Sequence, residues 1–241
     1  MIPVSWLFTN RIRRLERRLS RQLGSTIRDN EFSPDEAVNG RIVFGKKAAV
    51  LRSRILGQVE IGPHSHVTNA HLTAYGDTKI TMGRYSIIQG GESVISAKDH
   101  DLDIGSFCNI GHGAHIVSYS HRMDTYTTAF IEKRHGRPPT NYLSLGPVRI
   151  GHDCTIGIYS VVFSNVTLGN GCMVMPNSVV TASFPPYSII AGVPATKIGV
   201  RFSQRKIDYL EKLNWYDWDD KKILRNMDLL VRSVSTKRSF S

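Results

Sequence analysis

Histidine is the side chain in this sequence best suited to move a proton near neutral pH, because an imidazole titrates in that range. The chain has nine histidines. Six of them lie inside repeated segments, where outward-facing polar residues are expected: His64, His66, His71, His112, His115 and His152. His121 differs, because it stands at the start of the longest insertion, with Asp124 three residues further on. His121 is therefore one candidate for a general base, a group that takes the proton from a reacting hydroxyl. His100 and His135 also lie outside the repeats.

Metal and thiol chemistry have less support. Two pairs of histidines are closely spaced without a third ligand at matching distance: His64 with His66, and His112 with His115. The three cysteines share one small-residue slot of the repeat: Cys108, Cys154 and Cys172. We expect no metal, and we expect buried reduced thiols, which fit a cytoplasmic protein. The motifs GxGxxG and GxxxxGK[ST] are absent, so the sequence does not support a nucleotide-fold cofactor.

A six-residue period runs through the middle of the chain and must position these side chains. Eighteen positions, apolar except for one threonine, recur at that interval in four runs: Val43, Ala49, Ile55, Ile61, Val67 and Thr73; Met82, Ile88 and Val94; Ile104, Ile110 and Ile116; and Ile150, Ile156, Val162, Leu168, Val174 and Val180. Short parallel strands, three to a triangular coil, explain this period and predict an all-β solenoid of about six coils over 41–200. The largest break in the period predicts an external loop over 117–149, where repeat proteins often carry a binding face.

Segment 1–40 is predicted to be a basic amphipathic helix followed by a linker. Its apolar residues recur at helical spacing and its arginines supply much of the net charge of +11: Trp6, Leu7, Phe8, Ile12, Leu15, Leu19 and Leu23; and Arg11, Arg13, Arg14, Arg17, Arg18 and Arg21. Such a helix either lies on an anionic membrane surface or packs on the prism end or a neighbouring subunit. The first eight residues are a poor signal peptide, and no apolar run is long enough to span a membrane.

Segment 201–241 is predicted to be a helical tail. Ser203 is a candidate N-cap, and Ile207, Leu210 and Leu213 follow at helical spacing. Trp215 and Trp218 then stand close together. We expect them to anchor the tail on the solenoid rather than to bind a ligand.

The hexapeptide period resembles the left-handed β-helix acyltransferases, and several stretches resemble their xenobiotic branch, which acetylates virginiamycin-type streptogramins and chloramphenicol. These stretches are Gly83–Ser86, Ile104–Gly111, Ser120–Asp124, Ile189–Pro194 with Arg201–Ser203, and Trp215–Trp218. The polysaccharide O-acetyltransferases are also similar. The resemblance implies a left-handed parallel β-helix with N- and C-terminal helices, a homotrimer with active sites between subunits, and acetyl-CoA as the donor.

The resemblance also implies roles for individual residues. His121 matches the general base of the family, and Tyr85, His100 and Asp124 are expected to bind the acceptor. Residues on the late coils and just after them are expected to bind the cofactor: Ile158, Ser160, Pro176, Asn177, Thr181, Ala182, Lys197 and Arg201. Thr196 and Gly199 depart from the pattern, because family members often carry basic residues there for the phosphates.

The expected function is an acetyl-CoA-dependent O-acetyltransferase that transfers the acetyl group directly, with His121 as general base. The acceptor is predicted to be a sugar hydroxyl of a surface polysaccharide or lipopolysaccharide precursor, because a basic enzyme suits an anionic or lipid-linked glycan. The alternatives are an antibiotic hydroxyl or a trimeric scaffold without catalysis. The positive charge also suggests a nucleic-acid-binding protein, but no recognised binding motif accompanies the charge. The expected location is the cytoplasm, including the inner face of the membrane.

Overall fold

The computed structural model describes residues 4–32 and 41–232, with side chains from residue 10 onward. Expectations about the side chains of Trp6, Leu7 and Phe8, the linker 33–40 and residues 233–241 lie outside the described residues. The helices are α1 (Val4–Leu23), α2 (Ile131–Arg134), α3 (Gln204–Leu213), α4 (Asp220–Arg225) and α5 (Met227–Val231), with a 3₁₀ turn at Trp215–Asp217.

The rest of the architecture consists of short strands. Before the long loop they are β1 (Thr26–Arg28), β2 (Glu31–Phe32), β3 (Ile42–Phe44), β4 (Ala49–Leu51), β5 (Arg54–Leu56), β6 (Gln58–Ile61), β7 (His66–Thr68), β8 (Ala70–Ala74), β9 (Lys79–Met82), β10 (Ile87–Ile88), β11 (Ser93–Ala97), β12 (Leu102–Ile104), β13 (Asn109–Ile110) and β14 (His115–Val117). From the loop onward they are β15 (Ser120–His121), β16 (Tyr142–Leu143), β17 (Val148–Ile150), β18 (Thr155–Ile156), β19 (Val161–Val162), β20 (Thr167–Leu168), β21 (Met173–Val174), β22 (Val179–Val180), β23 (Ser188–Gly192) and β24 (Ala195–Val200).

Three parallel sheets form the walls of a β-solenoid. The first sheet has the order β1-β4-β7-β10-β13-β18-β21-β23-β24, the second β2-β5-β8-β11-β14-β19-β22, and the third β3-β6-β9-β12-β17-β20. Each coil takes one strand from each sheet in turn. We call the turn from the first to the second sheet the first corner, that from the second to the third the second corner, and that back to the first the third corner.

The solenoid has about seven coils, one more than the marker count predicts. The extra coil arises because β1 pairs with β4 and β2 pairs with β5. The sheets therefore begin at Thr26, inside the segment that the sequence suggests is helix and linker. At the other end β23 continues the first sheet, and β24 turns back on it in antiparallel pairing.

One column of apolar side chains from each sheet fills the interior. Ile104, Ile110 and Ile116 are buried as predicted. Four predicted inward positions are wrong by one residue, because the early coils depart from a strict period of six. The residues predicted to point inward are Val43, Ala49, Thr73 and Val94. Their neighbours fill the core instead: Phe44, Val50, Leu72 and Ile95. Val43 is 42% exposed, whereas Val50, Leu72 and Ile95 are fully buried.

Glycine follows many of the inward residues because the coils approach closely there. A Cβ on Gly62 would lie 2.6 Å from the backbone nitrogen of Arg84, and one on Gly105 would lie 2.7 Å from the carbonyl carbon of Gly151. Left-handed backbone is found instead at corner residues that carry side chains, such as Tyr85 with φ of 56° and Phe107 with φ of 62°. The glycines that follow the inward residues therefore serve coil stacking rather than an unusual φ.

Helix α1 closes the first end of the solenoid. Ile12 is buried in the core, and Leu15, Leu19 and Leu23 pack against it. The arginines that the sequence assigns to a basic helix face are exposed: Arg11, Arg13, Arg14, Arg17, Arg18 and Arg21. The described part of α1 therefore packs its apolar face against the solenoid and presents a basic face outward.

The C-terminal tail is anchored along the third corner. The guanidinium of Arg84 donates hydrogen bonds to the backbone oxygens of Tyr216 and Trp218. Trp215 packs on Phe107 with ring centroids 4.8 Å apart. Ser203 occupies the N-cap position of α3, but its side chain makes no capping hydrogen bond. The two tryptophans thus belong to a docked tail, which agrees with the anchoring interpretation.

Candidate active site

His121 lies at the base of the long loop, at the second corner of the fifth coil. The loop leaves the solenoid after β14, and its two ends pair as an antiparallel ladder in which His121 faces Tyr142. Asn141 is buried and ties the loop together, since its side-chain amide donates to the backbone oxygen of Ala129 at 2.7 Å. This ladder fixes the backbone of His121, whose imidazole is exposed.

Aromatic rings surround His121, and the sequence reasoning missed them. The imidazole packs against Phe130 and Tyr142, with centroid distances of 5.2 and 5.8 Å. Tyr142 contacts Tyr119 edge-on at 5.4 Å, and Tyr119 contacts Tyr75 at 6.1 Å. We call Tyr75, Tyr119, Phe130 and Tyr142 the aromatic cluster. Only the pairing of the loop ends, which no local pattern indicates, brings its members together.

His100 lies at the same corner, one coil before His121. Its Nδ1 atom is 2.8 Å from the hydroxyl of Ser144, which donates to the backbone oxygen of Ser118. The hydroxyl of Ser118 also bonds to the backbone of residues 98 and 100. The predicted acceptor residue His100 therefore stands beside the loop base, where it is hydrogen-bonded to two serines.

Lys98 adds a cation to this corner that the sequence reasoning did not single out. Its ammonium lies 3.2 Å from the ring centroid of Tyr142. Burial lowers the pKa of Lys98, and the nearby Asp99 charge opposes that shift. Within the described ranges Lys98 has no carboxylate at ion-pair distance.

Asp124 and Tyr85 are not brought next to His121 within one chain. The carboxylate of Asp124 accepts two hydrogen bonds from Arg122, at 2.9 and 2.6 Å, and they lower the pKa of Asp124. Tyr85 lies at the third corner, stacked between the rings of His64 and Phe107 at 4.6 and 5.1 Å. Tyr85 therefore faces the docked tail instead of the loop.

The predicted cofactor residues fall on different corners. Ile158, Pro176 and Asn177 are exposed at the first corner, and Thr181 and Ala182 are exposed where β22 ends at the second corner. Ser160 needs a correction, because it is fully buried and its hydroxyl donates to the backbone oxygen of Met175 at 2.9 Å. Its slot in the repeat points into the coil, so its side chain is not available to a cofactor.

The two predicted phosphate-binding cations differ in availability. Lys197 is exposed on β24. Arg201 instead donates to the carboxylate of Asp153 and to the backbone oxygen of Gly171, both at 2.9 Å, and lies over the ring of Tyr187. Burial raises the pKa of Asp153 although Arg201 opposes the shift. Arg201 is therefore already paired within this chain, and its binding of a phosphate stays a prediction.

Two grooves of the described chain lie away from His121. One of about 760 Å³ runs along the third sheet, and one of about 910 Å³ lies between the third corner and the tail. A smaller pocket of about 470 Å³ adjoins Phe130 in the loop. Among the described residues no three His, Cys, Asp or Glu side chains are grouped as a metal site requires.

The comparisons with known proteins agree with this architecture. Residues 147–182 match the family model described as bacterial transferase hexapeptide (six repeats). The "Probable macrolide acetyltransferase" of Lysinibacillus sphaericus is 36% identical over 140 residues, which cover 54% of this chain and 77% of that protein. The chain belongs to the hexapeptide-repeat acetyltransferases.

Two further proteins are similar to this acetyltransferase. The chloramphenicol acetyltransferase of Klebsiella aerogenes is 31% identical over 174 residues, covering 64% of this chain and 83% of that protein. The crystal structure of AntD, an N-acyltransferase from Bacillus cereus in complex with dTDP and 3-hydroxybutyryl-CoA, matches with a TM-score of 0.54 and 23% identity, covering 82% of this chain and 98% of that one. The second match supports the fold alone.

Proposed function

We propose that this acetyltransferase transfers an acetyl group from acetyl-CoA to a hydroxyl, with His121 as the general base. The observation that carries the proposal is an exposed imidazole, fixed by the β15–β16 ladder, with no carboxylate at ion-pair distance in the described chain. Such a ring is free to accept a proton from a substrate. Because a thioester can be attacked directly, no serine or cysteine nucleophile is required.

In the proposed reaction the acceptor oxygen attacks the carbonyl carbon of the thioester while its proton passes to a ring nitrogen of His121. The C–S bond then breaks, and the leaving thiolate of CoA takes that proton from the imidazolium. The remaining acceleration comes from holding donor and acceptor together. Ile158, Pro176, Asn177, Thr181, Ala182 and Lys197 are proposed to hold the cofactor.

We propose that the active enzyme is a homotrimer with its sites between subunits. His121 lies at the second corner, whereas Asn177 lies at the first corner and Tyr85 at the third. The corners of one prism are separated by strands, so a neighbouring copy has to bring its own corner to His121. Symmetric packing of prism walls supplies that arrangement three times.

We propose a sugar hydroxyl of a surface polysaccharide or lipopolysaccharide precursor as the acceptor. The aromatic cluster beside His121 offers flat apolar rings with polar edges, a surface suited to a sugar. An antibiotic hydroxyl is the second candidate, and the names of the macrolide and chloramphenicol acetyltransferases that resemble this chain favour it. The catalytically silent scaffold is not favoured, because His121 remains exposed and positioned.

We further propose that the enzyme works in the cytoplasm, at the inner face of the membrane. The outward arginine face of α1 is suited to anionic headgroups, each basic residue adding about 1 kcal/mol near such a surface. The three cysteines are free and buried, which fits a reducing compartment. No helix of the described chain has the length and apolar character to cross a bilayer.

An acetyl-transfer assay tests the proposal. Release of CoA is measured with acetyl-CoA and a panel of sugars, nucleotide sugars, chloramphenicol and a streptogramin, for the wild type and His121→Ala. Turnover of a sugar that depends on His121 supports the leading proposal, and turnover of a drug alone supports the second. Equal turnover by His121→Ala overturns the assignment of the base.

A further inference from the structure

We infer that Lys98 binds an anionic group of the acceptor, a carboxylate or a phosphate, and so selects charged sugars. This inference rests on the proposed function, because it concerns the acceptor that His121 deprotonates. Lys98 directly follows β11 and begins the turn at the second corner, one coil before His121. Its role follows from its position, from its fixed backbone and from the lack of a carboxylate partner among the described residues.

The position of Lys98 relative to His121 follows from Tyr142, because the ring of Tyr142 contacts both side chains. The ammonium of Lys98 lies 3.2 Å from the centroid of Tyr142, and the imidazole of His121 lies 5.8 Å from the same centroid. The ammonium and the imidazole are therefore separated by no more than these two distances together. A single charged monosaccharide spans that interval, with one hydroxyl at His121 and its anionic group at Lys98.

The backbone of Lys98 is held in place by a single buried hydroxyl. Its amide donates to the Oγ of Ser118 at 2.8 Å, and that Oγ donates in turn to the carbonyl oxygen of Lys98 at 3.1 Å. Ser118 lies between β14 and β15, three residues before His121, so the segment that holds the backbone of Lys98 also carries the base. An acceptor that bridges them meets a preorganised pair of groups.

Lys98 has no ion-pair partner among the described residues, so its charge is available to an anionic ligand. Asp99 precedes His100 in the turn and acts on Lys98 only as a nearby charge. Lys98 is half-buried, and burying an ammonium without a counterion is unfavourable. An anionic acceptor supplies the missing counterion in a site that already excludes part of the water.

A purely structural role has a different signature. In that case the ammonium attracts the face of Tyr142 and orients the ring beside His121. Loss of Lys98 then disturbs every acceptor alike. If Lys98 selects charge, its loss instead changes the ratio of kcat/KM for a charged acceptor to kcat/KM for the matched neutral one.

The experiment compares kcat and KM for methyl glucuronide, glucose 6-phosphate and neutral methyl glucoside. We expect the wild type to prefer a charged acceptor by about 10- to 100-fold in kcat/KM, the usual size of a charged hydrogen bond. Lys98→Met keeps the length of the side chain without its charge, and the preference should disappear through a higher KM for the charged sugar. Lys98→Arg should retain the preference. Carboxylate and phosphate are distinguished by which charged sugar is preferred.

Lys46→Met is the matched control, since it removes an exposed lysine at another corner, and the ratio should not change. An equal loss on charged and neutral sugars with Lys98→Met, or no preference in the wild type, overturns the inference. If no sugar is acetylated, equilibrium binding of methyl glucuronide and glucose 6-phosphate to the CoA-loaded enzyme gives the same readout. Binding that is equal in wild type and Lys98→Met rejects Lys98, whereas a failed transfer assay with intact selective binding rejects the proposed reaction.

Discussion

The imidazole of His152 lies flat against the ring of Tyr216, with centroids 4.2 Å apart and an interplanar angle of 12°. The contact joins the solenoid to its C-terminal tail. The Nδ1 atom of His152 also accepts a hydrogen bond from the backbone nitrogen of Ser106 at 2.9 Å. A protonated ring loses that acceptor, so the neutral form of His152 belongs to the folded state.

Tyr216→Ala is expected to lower the free energy of unfolding by about 3 kcal/mol, the order seen when a buried aromatic ring is deleted. The hydroxyl of Tyr216 also accepts a hydrogen bond from Asn170 at 2.8 Å, which the variant loses. Chemical denaturation monitored by circular dichroism measures the change. Tyr209→Ala, at an exposed position of α3, is the control and should change stability by no more than about 0.5 kcal/mol.

The same contact predicts a pH dependence. Burial lowers the pKa of His152 below its usual value, and the charges of Asp217 and Glu211 oppose the shift. The pKa of His152 is lower in the folded than in the unfolded protein. Its contribution to the free energy of unfolding is therefore complete above the unfolded pKa of about 6.5 and is lost as the pH falls toward the folded-state pKa. Titration of His152 by NMR should show the low pKa in the wild type and a return toward 6.5 in Tyr216→Ala. An unchanged titration would contradict this account.

His121→Ala is expected to lower kcat by about 10²–10⁴-fold, the usual contribution of a general base. Affinity for acetyl-CoA should be retained, because the proposed cofactor residues lie on later coils. His112→Ala is the comparison, since His112 packs edge-on to Tyr159 within the repeats; a dead His112 variant with an active His121 variant would show the assignment to be wrong.

The proposed homotrimer predicts complementation between two inactive variants. His121→Ala removes the base from one corner, and Asn177→Trp blocks the proposed cofactor corner. Co-expressed copies should regain about a quarter of the activity, since one wild-type site forms whenever the two intact corners meet in a random trimer. Sedimentation of the wild type should give one species of three chains. A stable, fully active monomer refutes the shared site.

Glu16→Gln is expected to stabilise the protein at pH 8 relative to the wild type. The carboxylate of Glu16 is only 4% exposed and accepts two hydrogen bonds from Asn30, at 2.9 and 3.2 Å. Burial is the main cause that raises its pKa, and the charge of Asp29 adds to it. The contribution of Glu16 is therefore complete below the unfolded value of about 4.5 and is lost as the pH rises through the folded-state value.

The amide oxygen of glutamine can accept both hydrogen bonds without a charge. Unfolding free energies at pH 4.5 and pH 8 should therefore differ more in the wild type than in Glu16→Gln. Glu31→Gln is the control, because Glu31 is exposed and pairs with Arg54 at the surface. A variant that loses stability at pH 8 would show that the charge itself holds α1 on the first coil.

The two parts of the chain differ in how well local sequence predicts them. A side chain that recurs every six residues has to face the same wall of a coil, because the strands are short and parallel. That constraint predicts the solenoid, the buried cysteines and the position of the loop from the sequence alone. It fails where an early coil is longer or shorter by one residue, as at Val43 and Thr73, since only pairing with the neighbouring coil sets the register there.

The surroundings of His121 depend on contacts between residues that are distant in sequence. Its own position could be predicted from the insertion that it begins. The ring of Tyr142 packs against His121, and the ammonium of Lys98 lies over that ring. Both contacts exist only because the loop ends pair in an antiparallel ladder and because Ser118 holds the turn of the preceding coil. No periodic pattern encodes these contacts, so tertiary structure alone decided which charge and which rings stand beside the candidate base.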